Sequence, residues 1–294
     1  MSTVLTTMVY NDPIFLDIWV RYYSQFFDRK DLHIITHGPG QDYVHEVAEG
    51  CTFLEAPRDP LNPRLDQDRF KFISEYASEL TKQYDRVIFN DVDEIVVLDP
   101  DHPLTLNDYL ETLDPVHEVV TPMGLEIVHL KQWENDYDYD RPLFAQRKFV
   151  RMNAWYTKPC ITSKTIEWGP DGHGCSHDKF HLDPNMYLFH LKWFDDQFHI
   201  NRHKERLAMR FKDDDGEEVI LGAGSWAWSE MAYELATNSF LRARIDPFDE
   251  GFDFTRHKNR VIDSFHESPH GGFKINWFVD QDIRILPERF IGVI

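Results

Sequence analysis

Hydrophobic positions in the first half of the chain alternate between two periods. Residues 4–9 form a short β-branched run that stops at Tyr10-Asn11-Asp12-Pro13, which reads as a strand followed by a helix start. Over residues 14–27, Phe15, Ile18, Trp19, Tyr22 and Phe26 recur at three- and four-residue intervals, predicting an amphipathic helix. Residues 32–36 read as a second strand closed by His37-Gly38-Pro39-Gly40, residues 42–49 as a helix, and 51–55 as a third strand. After a turn with Pro57, Pro60 and Pro63, residues 65–84 carry a long helical pattern, and 87–90 are a buried strand entering Asp91-Val92-Asp93-Glu94. Strands separated by helices of this length predict an α/β fold with a mostly parallel sheet flanked by helices.

The second half is less regular. Residues 118–121 and 125–130 read as two strands, 134–140 as an acidic loop, 213–218 as an acidic turn and 226–241 as a helix. Six histidines fall between His173 and His203. No repeat or low-complexity linker interrupts the chain.

In open parallel sheets, ligands sit beyond the carboxyl ends of the strands. Asn11, Gly38 and Asp91 each fall at such an end, which predicts one shared crevice. Asp91 and Asp93 stand at i and i+2, so extended geometry would aim both carboxylates to one side. Carboxylate oxygens suit Mg²⁺ or Mn²⁺, whose shells are commonly completed by substrate phosphates.

The segments Met8-Val9-Tyr10-Asn11-Asp12, Phe15-Leu16-Asp17-Ile18-Trp19 and Arg86-Val87-Ile88-Phe89-Asn90, followed by Asp91-Val92-Asp93-Glu94, resemble those of GT-A-fold glycosyltransferases. The likeness is to bacterial family-2-type enzymes with an Asp-Val-Asp-Glu motif. It implies a GT-A-like (Rossmann-like) domain over residues 1–195, with residues 196–294 as a C-terminal extension shaping the acceptor site. The turn His37-Gly38-Pro39-Gly40-Gln41-Asp42 departs from the family's usual Asp-Asn-Gly-Ser form. The resemblance further implies that Asp93 coordinates Mn²⁺ or Mg²⁺, while Asp91 contacts the ribose or reaches the metal through water. Glu94 supports the loop. A late histidine supplies another ligand in this fold, and His190 fits best because it ends the apolar run Tyr187-Leu188-Phe189.

The implied activity is transfer of a sugar from a nucleotide-sugar donor, a UDP-sugar by resemblance, to a saccharide or other hydroxyl acceptor. The outcome expected is inversion, and the setting a bacterial surface glycan. Asn11 joins Asp91 on the donor. Lys158 is the candidate cation for the diphosphate, with Arg147, Lys148 and Lys192 as rivals. An inverting enzyme needs a carboxylate to deprotonate the acceptor. Asp171, in the Gly-rich loop Trp168-Gly169-Pro170-Asp171-Gly172-His173-Gly174, is that candidate, against Glu126 and Glu134.

Composition narrows the field. The 294 residues are 42% hydrophobic and include 22 Phe, 12 Tyr and 8 Trp, enough for a packed core with rings to spare for stacking. A net charge of −20 and the lack of a basic run argue against nucleic acid. Like charges about 4 Å apart repel by roughly 4 kcal/mol at an effective dielectric near 20, so a phosphorylated ligand requires a cation or a local basic pocket. Cys51, Cys160 and Cys175 form no CxxC pair, there is no apolar membrane span, and the start lacks a signal-peptide pattern, so a cytoplasmic protein is expected.

Two other classes remain open. His177 and His181 have the i, i+4 spacing of helical zinc ligands, so the 173–203 segment admits a zinc hydrolase. A non-catalytic carbohydrate- or nucleotide-binding protein would use the aromatics for recognition alone.

Overall fold

In the computed structural model, Thr3–Val9 is the first strand, β1, and every residue of it is buried. The structure describes residues 2–58, 64–208, 211–212, 218–219, 230–246, 252–269 and 271–294. Helix α1 (Pro13–Tyr23) begins on Pro13, whose fixed φ suits a first turn. Strand β2 (Leu32–His37), helix α2 (Tyr43–Val47), strand β3 (Thr52–Ala56), helix α3 (Leu65–Leu80) and strand β4 (Arg86–Phe89) follow in the order expected. Both long helices stop a turn short of their sequence patterns, α1 at Tyr23 and α3 at Leu80.

β1 pairs in parallel with β2 on one side and β4 on the other, and β2 pairs in parallel with β3. Alternating side chains then bury two faces. Leu5, Val9, Ile34 and Ile88 pack with Phe15, Leu16 and Trp19 of α1. Val4, Met8, Ile35, Val87 and Phe89 pack with Phe70, Ile73 and Ala77 of α3. Each fully buried large side chain contributes roughly 2 kcal/mol, and burial on both faces explains why these strands read as continuous apolar runs. The protein is thus a mixed α/β structure with a mainly parallel central sheet.

After β4 the chain turns at once into β5 (Glu94–Leu98), then α4 (Leu106–Thr112) and β6 (Val119–Val128). The two strands expected over 118–130 are one continuous strand, carried through its middle by Gly124. β7 (Phe149–Met152), β8 (Ile161–Thr162), β9 (Gly174–Cys175) and β10 (Leu182–Trp193) come next. β10 runs parallel to β6 and antiparallel to β5. Beyond it lie α5 (Asp196–Ala208), β11 (Phe211–Lys212), β12 (Glu218–Val219), α6 (Glu230–Arg242), β13 (Arg244–Asp246), α7 (Thr255–Asp263), β14 (His266–Glu267), β15 (Phe273–Lys274) and β16 (Asp282–Ile285). β16 pairs antiparallel with β7 and carries β13 at its outer edge, so the main sheet continues into the last hundred residues. Most of the acidic turn at 213–218 and the first four positions of the helix expected at 226–241 lie outside the described residues. No described helix is long and apolar enough to cross a membrane.

Candidate active site

The acidic motif does not continue β4. Asn90 is buried and donates to the carbonyl of Glu94, while the Glu94 amide donates to the Asp91 carbonyl at 2.9 Å. These bonds fold 91–94 into a turn, so the extended i, i+2 geometry is corrected and the two carboxylates diverge. Asp91 accepts from Arg69 Nη1 on one oxygen and from Lys158 Nζ on the other, both at 3.0 Å. Asp93 is pinned to β10, because its carbonyl accepts from the Leu191 amide at 2.8 Å. Its carboxylate then lies 3.7 Å from His190 Nε2.

Lys158 reaches the site through a close approach of backbones. Asn153 and Thr157 bracket a short turn, Ala154–Tyr156, that lies directly on β6. The Gly124 amide donates to Thr157 Oγ1 at 3.0 Å, and the Asn153 amide donates to the Gly124 carbonyl at 3.1 Å. A Cβ at position 124 would sit 2.4 Å from backbone atoms of Tyr156 and Thr157, so only glycine permits this contact. Lys158 then bridges Asp91 and Glu94, at 2.7 Å from Glu94 Oε1.

Strand register builds the floor. His190 is opposite Glu94 on β5 and Glu126 on β6, and Glu126 is opposite Arg151 on β7. Side chains in register on neighbouring strands share a face. The row Glu94, His190, Glu126, Arg151 therefore crosses four strands, and Arg151 Nη2 closes on Glu126 at 2.5 Å. All four residues line a cleft of about 760 Å³, together with Asn11, His37, Asp91, Asp93, Lys158 and His173. Tyr156 stacks on the His190 imidazole at 3.7 Å between ring centres.

Opposed charges set the ionisation of the site. Burial works against an ionised Asp91, but Lys158 and Arg69 outweigh it and hold the carboxyl well below its usual range. The same burial pushes Glu94 up to about 7, an effect that Asp91 and Asp93 reinforce and Lys158 opposes. Lys158 is kept firmly cationic, since its two carboxylates outweigh its desolvation. Burial lowers His190 to about 4 against the pull of Asp93 and Glu126, and lowers His173 to about 3 with help from Lys158. Both imidazoles are neutral at pH 7. The lining contains six lysines and arginines (Arg58, Arg69, Arg151, Lys158, Lys192, Arg202) beside seven carboxylates, a local balance unlike the net charge of −20.

Asn11, Asp91, Asp93, Lys158 and His190 are thus gathered in one cleft. Asn11 stands at φ 52°, in the left-handed region that asparagine tolerates better than most residues, and its amide donates to Gln41 Oε1. The proposed ligand triad is not equivalent, because both Asp91 oxygens already accept from cations. Among the described residues no three His, Cys, Asp or Glu side chains are placed to hold a metal ion by themselves. Asp93 and His190 nevertheless offer a carboxylate and an imidazole on one wall, and His190 Nδ1 has no hydrogen-bond partner among the described residues. A two-ligand set fits a cation whose remaining shell is phosphate and water.

Asp171 lies in a turn, Pro170–Gly172, that packs on Phe70 of α3; its side chain is outside the described residues. Glu134 accepts from the amides of Lys148 and Leu130, and so closes the 130–148 loop away from the cleft. Arg147 is buried against Asp195 and the Phe194 carbonyl. Neither it nor Lys148 lines the cleft, whereas Lys192 does.

The helical zinc motif is not formed. Residues 176–181 have no helical turn, His177 bonds the Thr165 carbonyl, and His181 stacks on His117 at 3.5 Å. Gly172, Gly174 and Pro184 flank the segment and disfavour a helix there.

Sequence reading passed over Arg69, Arg58, Arg151 and Arg202. Arg58 lies over the Tyr10 ring at 3.6 Å and donates to His37 Nδ1 at 2.9 Å, while Arg202 of α5 pairs with Asp12. Arg69 had a legible signal, since a cation in the first turns of the helix preceding the acidic strand faces the strand's carboxyl end. The others arrive from distant segments with no local pattern.

No family model matches the chain, and no curated protein matches it. Solved structures similar to it include mannose-1-phosphate geranyltransferase from Thermus thermophilus, at 12% identity over 52% of this chain and 49% of that one, with a TM-score of 0.29. Core-mannan synthase A from Aspergillus fumigatus, in a Mn/GDP form, is 10% identical over 44% of this chain and 43% of that one, TM-score 0.27. A glycosyltransferase involved in glycosylation of the major capsid of PBCV-1 is 12% identical over 42% of this chain and 52% of that one, TM-score 0.23. The chain spans about half the length of these solved chains. Likeness this remote bears on neither substrate nor mechanism, which rest on the cleft itself.

Proposed function

We propose that the protein is a glycosyltransferase that binds a nucleotide-sugar in the cleft with Mn²⁺ or Mg²⁺ and transfers the sugar to a hydroxyl acceptor. The observation carrying this reading is the approach of Asp93 to His190 at the mouth of a mainly parallel sheet, beside a cationic Lys158. Asp93 and His190 are the direct cation ligands in this reading, and Asp91 is the anchor that fixes Lys158 and Arg69. A cation bound there would neutralise the leaving nucleoside diphosphate. Lys158, Arg69 and Lys192 add fixed positive charge along the same wall, which an otherwise strongly acidic protein needs to admit a diphosphate.

In this reading Tyr10 and Asn11, just beyond β1, and Arg58, just beyond β3, contact the nucleoside, and a UDP-sugar is the donor we favour. For the base we favour Glu126, a carboxylate in the cleft lining. Inversion at the anomeric carbon goes with a single such base. Residues 196–294 serve as an extension that completes the acceptor side, and a bacterial surface glycan remains the setting we favour.

Thermal-shift measurements with UDP-, GDP-, CMP- and dTDP-sugars, each with and without Mn²⁺, test this directly. A bound ligand at a hundredfold excess over its Kd adds about 2.7 kcal/mol of stability. Stabilisation that requires both nucleotide and cation is expected. Absence of any nucleotide effect, or one indifferent to Mn²⁺, defeats the metal-dependent transferase.

A further inference from the structure

The wall of the cleft does not end at its mouth. Trp155 lines the cleft, and Trp277, far along the sequence, is laid against it with ring centres 3.9 Å apart and planes 21° from parallel. The placement is built by backbone. Ala154 donates to the Phe278 carbonyl and Asp280 to the Met152 carbonyl, both at 2.9 Å, and Asn153 bridges Val279 in antiparallel fashion. His173 sets its edge against both indoles, at 5.2 and 5.8 Å. Trp277 is nevertheless 43% exposed, and Lys274 Nζ stands 5.0 Å from its ring centre.

Trp277 leaves ring surface in water while the backbone pairing around it sets it against Trp155, itself part of the cleft lining. Flat apolar surface beside hydrogen-bonding groups matches a pyranose, which presents C–H bonds on its faces and hydroxyls around its rim. A nucleobase is a poorer occupant, because the pair stands on the β6–β7 side of the cleft, across the sheet from the ends of β1 and β2. We infer that the stacked Trp155–Trp277 pair is a saccharide-binding platform that receives the acceptor sugar at the mouth of the cleft. This rests on the transferase reading for the word acceptor, but not for the binding of sugar.

The test uses the full chain labelled with ¹⁵N at its indoles, with the Trp277 signal assigned through W277F. Methyl glycosides of glucose, galactose and mannose are titrated to high millimolar concentration, with and without UDP–Mn²⁺. At least one glycoside is expected to shift the Trp277 indole signal. Trp277→Ala is expected to weaken that glycoside roughly tenfold, the loss of one aromatic face, while W277F keeps most of the affinity. UDP–Mn²⁺ should bind all three proteins alike. No glycoside shift under either condition overturns the platform and leaves the transferase reading standing. Glycoside shifts without any UDP–Mn²⁺ binding do the reverse. A Trp277 signal that moves with protein concentration instead of glycoside assigns the face to a second copy of the chain, and also overturns it.

Discussion

Lys158 Nζ lies 3.0 Å from Asp91 Oδ2, although 67 residues separate the two in sequence. The pair is buried on the lysine side, at 9% side-chain exposure, and Glu94 at 1% takes the same ammonium. A charge in such a place is tolerated only when partnered, so Asp91 and Lys158 hold each other in their ionised forms, while burial keeps the Glu94 carboxyl well above its usual range.

Removing the ammonium should therefore be costly. Lys158→Met leaves two buried carboxylates without their shared cation, and a loss of about 3–5 kcal/mol in unfolding free energy is expected. Urea denaturation of variant and parent measures it. Asp91→Asn should lose less, since Glu94 still pairs with Lys158. Equal stability of parent and Lys158→Met would show that solvent reaches the pair freely.

Gly124 is the hinge of the construction. Gly124→Ala places a methyl 2.4 Å from the backbone of the 154–157 turn, where no side chain can yield. Overpacking of this kind costs typically 1–3 kcal/mol and moves backbone. The expected result is a lowered Tm together with loss of nucleotide–Mn²⁺ stabilisation, because the turn carries Tyr156 and leads directly into Lys158. A variant with parent Tm and parent ligand response would mean that the turn is not held by this contact.

β1, β2 and β4 were legible because burial on both faces writes itself as apolar runs, and α1 because its apolar stripe has a helical period. Asp91 and Asp93 were legible as chemistry at a strand end, Lys158 as a candidate cation and His190 as the close of an apolar run. What sequence could not give was their division of labour. The turn at 91–94 depends on Asn90 bonding the Glu94 carbonyl, a contact without periodicity. The register that sets Glu94, His190, Glu126 and Arg151 in one row joins strands distant along the chain. The strands read over 118–121 and 125–130 are one, because Gly124 between them admits another backbone instead of ending the strand.

Acid should destabilise the protein in part through His37. Its imidazole is lowered from 6.5 to about 4 by burial and by the adjacent Arg58 and Arg69. The unfolded chain therefore binds the extra proton between pH 6.5 and 4 while the folded chain refuses it, so stability falls as pH falls through that window. One pKa unit corresponds to about 1.4 kcal/mol, which makes the effect measurable. Comparing Tm at several pH values for the parent and His37→Asn isolates it from the carboxylates, which titrate in both. The variant is expected to lose less stability on acidification. Parallel curves would place His37 in contact with water.

Asp93 and His190 should separate from Asp91 in cation binding. Both Asp91 oxygens accept from Arg69 and Lys158, whereas Asp93 and His190 face each other at 3.7 Å, with His190 Nδ1 unpartnered among the described residues. His190 is neutral near pH 7, the state a metal ligand requires. In titrations of Mn²⁺ with UDP followed by the electron paramagnetic resonance of free Mn²⁺, Asp93→Asn and His190→Gln should each weaken cation binding roughly tenfold or more. Asp91→Asn should weaken it less, and through the altered position of Lys158, since it removes an anchor and no direct ligand. An Asp91→Asn protein that loses the cation completely while Asp93→Asn retains it would exchange the two roles and move the cation to the α3 side of the turn.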